Sequence, residues 1–161
     1  MFEIKVIDIQ NPDGLNVIIG QSHFIKTVED LYEALIQGSN GIQFGLSFCE
    51  SSGPRLIRSC GTKEDLIELS KKNAMDISCG HFFIIFIDKA FPIHVLNNIK
   101  IVPEVCTVFC ATSNPVQVVT LETTLGRGII GVIDGNKPLG YETPDDIKER
   151  HDLLRKFGYK L

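Results

Sequence analysis

The sequence predicts an α/β fold: a mixed β-sheet with helices packed on it, in a single compact domain spanning residues 1–161. Three observations predict it. Stretches of strand length interleave with stretches whose apolar residues recur every three to four positions, the mark of layered α/β proteins. HFFIIFID at 81–88 is almost wholly apolar, as a central strand covered on both faces must be. Turn signals near both ends of the chain favour hairpins, which makes the sheet mixed rather than purely parallel.

Residues 2–9 alternate in the manner of a strand, and 15–20 read as a second. Asn11-Pro12-Asp13-Gly14 between them is a hairpin signal. A helix follows over about 28–37, because Val28, Leu31, Tyr32, Leu35 and Ile36 fall at i, i+3, i+4, i+7 and i+8. Thr27 reads as its N-cap, with Asp30 three positions later in the place of a capping-box acid. Gly38 ends it. Residues 42–49 form a strand, followed by the loop ESSGPR and a short strand over 56–59.

Thr62-Lys63-Glu64-Asp65 repeats the capping pattern and opens a helix to about Ile77. After the strand at 81–88, a short helix follows Pro92 and stops before Pro103, with Val95, Leu96 and Ile99 on its buried side. Strands are expected at 105–112, 116–123 and 129–134, with turns at Asn114-Pro115 and Leu125-Gly126-Arg127-Gly128. Thr143-Pro144-Asp145-Asp146 caps a final helix, Pro standing at its favoured first position. That helix is expected to bury Ile147, Leu154 and Phe157.

The apolar share of 43% and charged share of 22% are those of an ordinary folded protein. Net charge is −4 and no basic block stands out, so no nucleic-acid partner is expected. The longest apolar run, Phe82 to Ile87, is too short to span a bilayer, so no membrane partner is expected. The N-terminus lacks a signal-peptide pattern, which predicts a cytoplasmic protein. Cys49, Cys60, Cys79, Cys106 and Cys110 are odd in number and contain no CxxC, which favours small buried hydrophobes in a reducing compartment. Cys106 and Cys110, four apart on a strand, are expected on one face.

Chemistry is sought in short polar, glycine-bearing stretches between strong strands: QSH at 21–23, CESSGPR at 49–55, CGH at 79–81, CATSNP at 110–115 and GRG at 126–128. Neither GxxxxGK[ST] nor GxGxxG after a strand occurs, so any phosphate cradle is of another kind. His23 stands before a helix start, beside Ser22 and close to Lys26. That is where an anion is held and where histidine can carry a phosphoryl group. A half-buried histidine preceding a cap is the equal alternative. His81 opens the most apolar strand, either as a satisfied core histidine or at a strand end facing a ligand. His94 and His151 read as structural or solvated. Glu50 reads equally as a ligand-facing or a loop carboxylate. Glu122 and Asp134 are expected to approach across a hairpin, as a salt-bridged set around Arg127 or, less commonly, as a Mg²⁺ pair. Cys49 would be a nucleophile only with a lowered pKa.

GQSHFIKTVEDLYEAL, FGLSFCESSGPRLIR, the Gly80-His81 strand start, AFPIHVLN, VPEVCTVFCATSNP and GRGIIGVIDG, in this order, resemble the adenosine-specific kinase family, and the likeness runs through LLRKFGYK. The resemblance implies a compact α/β protein that binds adenosine or AMP, assembles as a symmetric homo-oligomer, a trimer or hexamer, and is associated with phosphorylation of a histidine. The match falls on His23 and His81, and His23 ranks first because the helix start and Lys26 stabilise a phosphoryl group. On this reading His23 and Lys26 are catalytic. Glu50, Ser52, Gly53, Arg55, His81, Thr112, Asn114 and Arg127 line the substrate site, with the loops at 50–55 and 110–114 forming the nucleoside pocket. No resident cofactor is called for, and Mg²⁺ would accompany a nucleotide phosphate donor. The alternative is a non-catalytic adenosine or AMP sensor or carrier. His94 departs from the family wording, which is expected to carry Asn there.

Overall fold

Apolar residues alternating along the strands divide the β structure between two sheets. The computed structural model describes residues 1–161. Its elements run β1 (Glu3–Asp8), β2 (Asn16–Ser22), α1 (Thr27–Gly38), β3 (Gln43–Cys49), β4 (Ile57–Gly61), α2 (Glu64–Ile77), β5 (Phe82–Asp88), α3 (Pro92–Lys100), β6 (Val105–Thr112), β7 (Val116–Glu122), β8 (Arg127–Asp134) and α4 (Pro144–Lys156). The larger sheet has the order β4-β3-β5-β2-β6 and the smaller β1-β7-β8. The α/β class read from the sequence is what the chain forms. Every strand pair is antiparallel, however, so no mixed sheet results.

β5 occupies the middle of the larger sheet, and Phe82 through Ile87 are all buried, as its apolar run requires. Successive residues point to opposite faces. One face, with Ile18, Phe44, Phe48, Phe83 and Ile85, meets α1 and α3. The other, with Val17, Ile19, Ile84 and Phe86, meets α2 and the smaller sheet. Each buried phenylalanine or isoleucine contributes about 1.5–3 kcal/mol of apolar burial. Gly45 lets α2 lie directly on β3: a Cβ there would stand 2.1 Å from the main chain of Leu66.

Several expectations are corrected. The 11–14 turn forms, with Gly14 donating to Asn11 O at 3.2 Å. Yet it joins two different sheets, because β1 pairs with β7 and β2 with β5 and β6. Turn chemistry fixes a local reversal, not which edges meet. Cys106 is exposed while Cys110 is buried. A register shift between Ile19 and Gly20 puts a bulge in β6 between them and reverses its facing. α3 buries Val95 and Ile99 as expected. α4 has its expected cap, Thr143 accepting from Asp146 N and the Asp146 side chain from Thr143 N. It buries no residue, and Ile147 and Phe157 stay exposed. No helix is long and apolar enough to cross a membrane.

Candidate functional site

One end of the larger sheet gathers the polar residues. The antiparallel order brings the ends of β2 and β3 level with the starts of β4, β5 and β6. Glu50, His81, His23 and Glu104 therefore follow one another across that end.

His81 adopts a left-handed backbone, φ +60°. This costs a residue with a Cβ about 1–2 kcal/mol and persists only where its surroundings enforce it. Here His81 N donates to Cys49 O at 2.8 Å and its carbonyl accepts from Ser22 N at 3.0 Å, so both neighbouring strands hold it. Its ring stacks on Phe48, 5.7 Å between centroids. The strain sits just before β5, where His81 is half-buried with its ring against the core residue Phe48.

The corner from β2 into α1 carries His23. Ser22 Oγ and Thr27 Oγ1 lie 2.6 Å apart in a buried contact, and Thr27 Oγ1 donates to Phe24 O at 2.5 Å. Thr27 is thus not the N-cap predicted for α1. Its hydroxyl is consumed by the corner, and Lys26 takes the cap position without a side-chain cap. Thr62 departs in the same way: its hydroxyl accepts from Phe44 N and donates to Ile42 O, and Lys63 stands at the cap of α2. His23 itself is exposed, and its main-chain N–H donates to Glu104 O at 2.9 Å. The Lys26 ammonium is hydrogen-bonded to Asp30 and lies 3.6 Å from Glu104 Oε2. Asp30 holds its pKa above the usual lysine value.

At the Glu50 end of this row lies a cleft of about 1030 Å³, whose walls include Glu50 but not His81, His23, Lys26 or Glu104. The 50–56 loop, the end of α2 and the β7–β8 hairpin enclose it, with Arg55, Met75, Cys79, Gly80, Arg127 and Ile129 in its walls. Gly80 lets the loop close down at the start of β5: a Cβ there would stand 2.8 Å from Ser51 Cβ. Arg55 forms no ion pair and lines the cleft, leaving its guanidinium free for an anion.

The other expected site residues do different work. Glu50 lines the cleft and also braces its own loop: it accepts from Leu56 N at 2.8 Å and pairs with Arg58 at 3.0 Å, which together hold its carboxyl below the usual range. Ser52 and Gly53 form the exposed tip of that loop, outside the cleft wall. Arg127 donates to the carbonyls of Asp76 and Ile77, at 3.3 and 3.0 Å, and to Glu122 at 2.8 Å. It ties the hairpin to the C-terminus of α2 and has no donor pair left over for phosphate. Thr112 and Asn114 lie at the opposite end of β6, where Thr112 pairs with Val17 and Asn114 bonds Asp134 at 3.2 Å. The structure does not bring them to the cleft. The hairpin tip occupies the place expected of the 110–114 loop.

Glu122 and Asp134 do not meet either. Glu122 pairs with Arg127 at one end of the hairpin and Asp134 with Val116 at the other. Lys5 and Arg127 hold the Glu122 carboxyl down at about 2. No group of three or more His, Cys, Asp or Glu is placed to hold a metal ion. Burial pushes the Cys49 thiol up to about 12, so it is no nucleophile at neutral pH. His94 Nδ1 accepts from Phe91 N at 3.2 Å and caps α3, beyond the far end of β5, so the departure from the family wording falls away from the histidine row. Sequence reasoning missed Glu104, which carries no periodic or motif signal, and the end of α2, which reads as plain helix.

A family model described as adenosine specific kinase matches residues 7–160. The solved structure of the PH1918 protein from Pyrococcus horikoshii OT3 is similar to this chain at 46% identity. The likeness covers 100% of this chain and 99% of that one, with a TM-score of 0.95. No curated protein matches.

Proposed function

The chain belongs to the adenosine-specific kinase family, and from that premise we propose that it binds adenosine or AMP in the cleft and carries a phosphoryl group on His23. The observation that supports this most is the adjacency of His23 and the strained His81 at one sheet end, joined through the Ser22–His81 hydrogen bond. A ring nitrogen of His23 attacks the terminal phosphorus of a nucleoside triphosphate. A P–N bond forms, the P–O bond to the diphosphate breaks, and the other ring nitrogen gives up its proton. Transfer to the 5′-hydroxyl of adenosine breaks the P–N bond while the hydroxyl proton returns to the His23 ring, giving AMP and neutral His23. Lys26 and the free Arg55 stabilise phosphoryl charge. His81 orders the pocket edge.

Labelling with terminally labelled ATP tests this. Wild type is expected to take label on His23, His23→Ala to take none, and AMP to accumulate beyond one equivalent of protein. Label at the normal rate in His23→Ala overturns the assignment. The absence of a P-loop or kinase Gly-rich loop favours a second reading, a sensor or carrier with the same pocket. On that reading AMP never exceeds the protein.

The assembly is proposed to be a trimer or hexamer of this chain. α4 is fully capped yet packs only marginally on its own chain, and an isolated helix of its length is marginal in water. The outer face of the smaller sheet exposes Ile4, Val6, Ile130 and Ile133. A second copy supplies both missing surfaces at once, α4 of one on the sheet of the next, an arrangement that closes as a ring.

A further inference from the structure

Glu104 is 3% exposed, and neither carboxylate oxygen has a hydrogen-bond partner. An ionised carboxylate so placed is strongly penalised. Lys26 does not relieve it: its ammonium is 3.6 Å away, too far for a hydrogen bond, and is already engaged by Asp30. The same Lys26 ammonium is hydrogen-bonded to Asp30, so a second, partly exposed carboxylate shares this corner with the buried Glu104. Two acids gathered on one ammonium, one of them buried, are accommodated by one proton between them. We propose that Glu104 shares a proton with Asp30, donating to it, and so positions Lys26 beside His23.

The surroundings agree. Burial first, and then Asp30, push the Glu104 carboxyl up, while Lys26 holds Asp30 down. The proton therefore resides on Glu104, and Asp30 carries the charge that holds Lys26. The same residue reaches His23 by its main chain, since Glu104 O accepts His23 N at 2.9 Å. One residue at the start of β6 thus ties down both groups of the phosphoryl site, His23 through its carbonyl and Lys26 through Asp30. As a positioning residue it touches no substrate. Its role in transfer rests on the reading of His23 given above.

Glu104→Gln and Glu104→Ala, prepared in the full chain, test the proposal. Gln keeps the shape and can donate an amide N–H to Asp30; Ala removes the donor. Infrared spectra of wild type at neutral pH are expected to show a protonated carboxyl band that Glu104→Gln lacks. Glu104→Gln is expected to label His23 within about twofold of wild type. Glu104→Ala is expected to fall on the order of 10-fold or more, with adenosine affinity unchanged as a check that the variant is folded. The proposal is overturned by absence of the band, by Gln as defective as Ala, or by Ala equal to wild type. Should Ala not fold, Asp30→Asn is expected to lose labelling in its place, and full labelling there overturns the proposal. If wild type takes no label at all, the His23 reading fails, and the infrared band alone decides the shared proton.

Discussion

The carbonyl of His81 accepts the main-chain N–H of Ser22 at 3.0 Å, which fixes a left-handed histidine against the strand that delivers His23. The cleft opens on the same strand start through Gly80. Strain and hydrogen bonding therefore meet at His81, while its neighbour Gly80 lines the cavity.

His81→Gly relieves the left-handed strain but loses the Phe48 stack and loosens the unfolded chain. These effects nearly cancel, so denaturant midpoints are expected to report a change under about 1 kcal/mol. His81→Val, β-branched at a positive φ, is expected to cost more than about 1 kcal/mol. Both variants are expected to bind adenosine about tenfold more weakly.

Arg55 is the free guanidinium of the cleft. Removing a charge-assisted hydrogen bond costs about 1.5–3 kcal/mol. Titration calorimetry on Arg55→Ala is expected to show AMP affinity down by at least about tenfold and adenosine affinity within about twofold. Equal losses for both ligands would place the phosphate elsewhere.

Glu122 sets an acid limit. Its carboxyl is held at about 2 by Lys5 and Arg127, below its ordinary value of 4.5. A depressed carboxylate adds stability above its unfolded pKa and loses it as pH falls through the folded one. Thermal unfolding of wild type and Glu122→Gln is expected to differ above pH 4.5. The gap should close between there and about 2.

Truncation after Asn136 removes α4, which buries nothing within its own chain. The main body is expected to keep its unfolding temperature at low concentration, while light scattering reports a fall to monomer. An unchanged oligomer would show that α4 is not the joint.

Much of this arrangement was legible in the sequence. The apolar run at 82–87 marked the central strand, and the periodicity of Leu31 and Leu35 marked α1. Thr27 misled because a cap signature cannot reveal that Ser22 and Phe24 claim its hydroxyl. The 11–14 turn misled because strand pairing is decided by packing across the whole chain. His23, Lys26, His81 and Arg55 were visible as chemistry-bearing loop residues. Their neighbours were not. Glu104 joins the site only through the register of β6 on β2, and Thr112 and Asn114 leave it for the same reason.

Thermal unfolding with adenosine, AMP and guanosine in turn tests the central claim most directly. A ligand at 100 times its Kd adds about 2.7 kcal/mol to the folded state, several degrees for a chain of this size. Adenosine and AMP are expected to raise the midpoint by that much and guanosine to leave it unmoved. No shift with any of the three, or equal shifts with all, would contradict an adenosine site in this cleft.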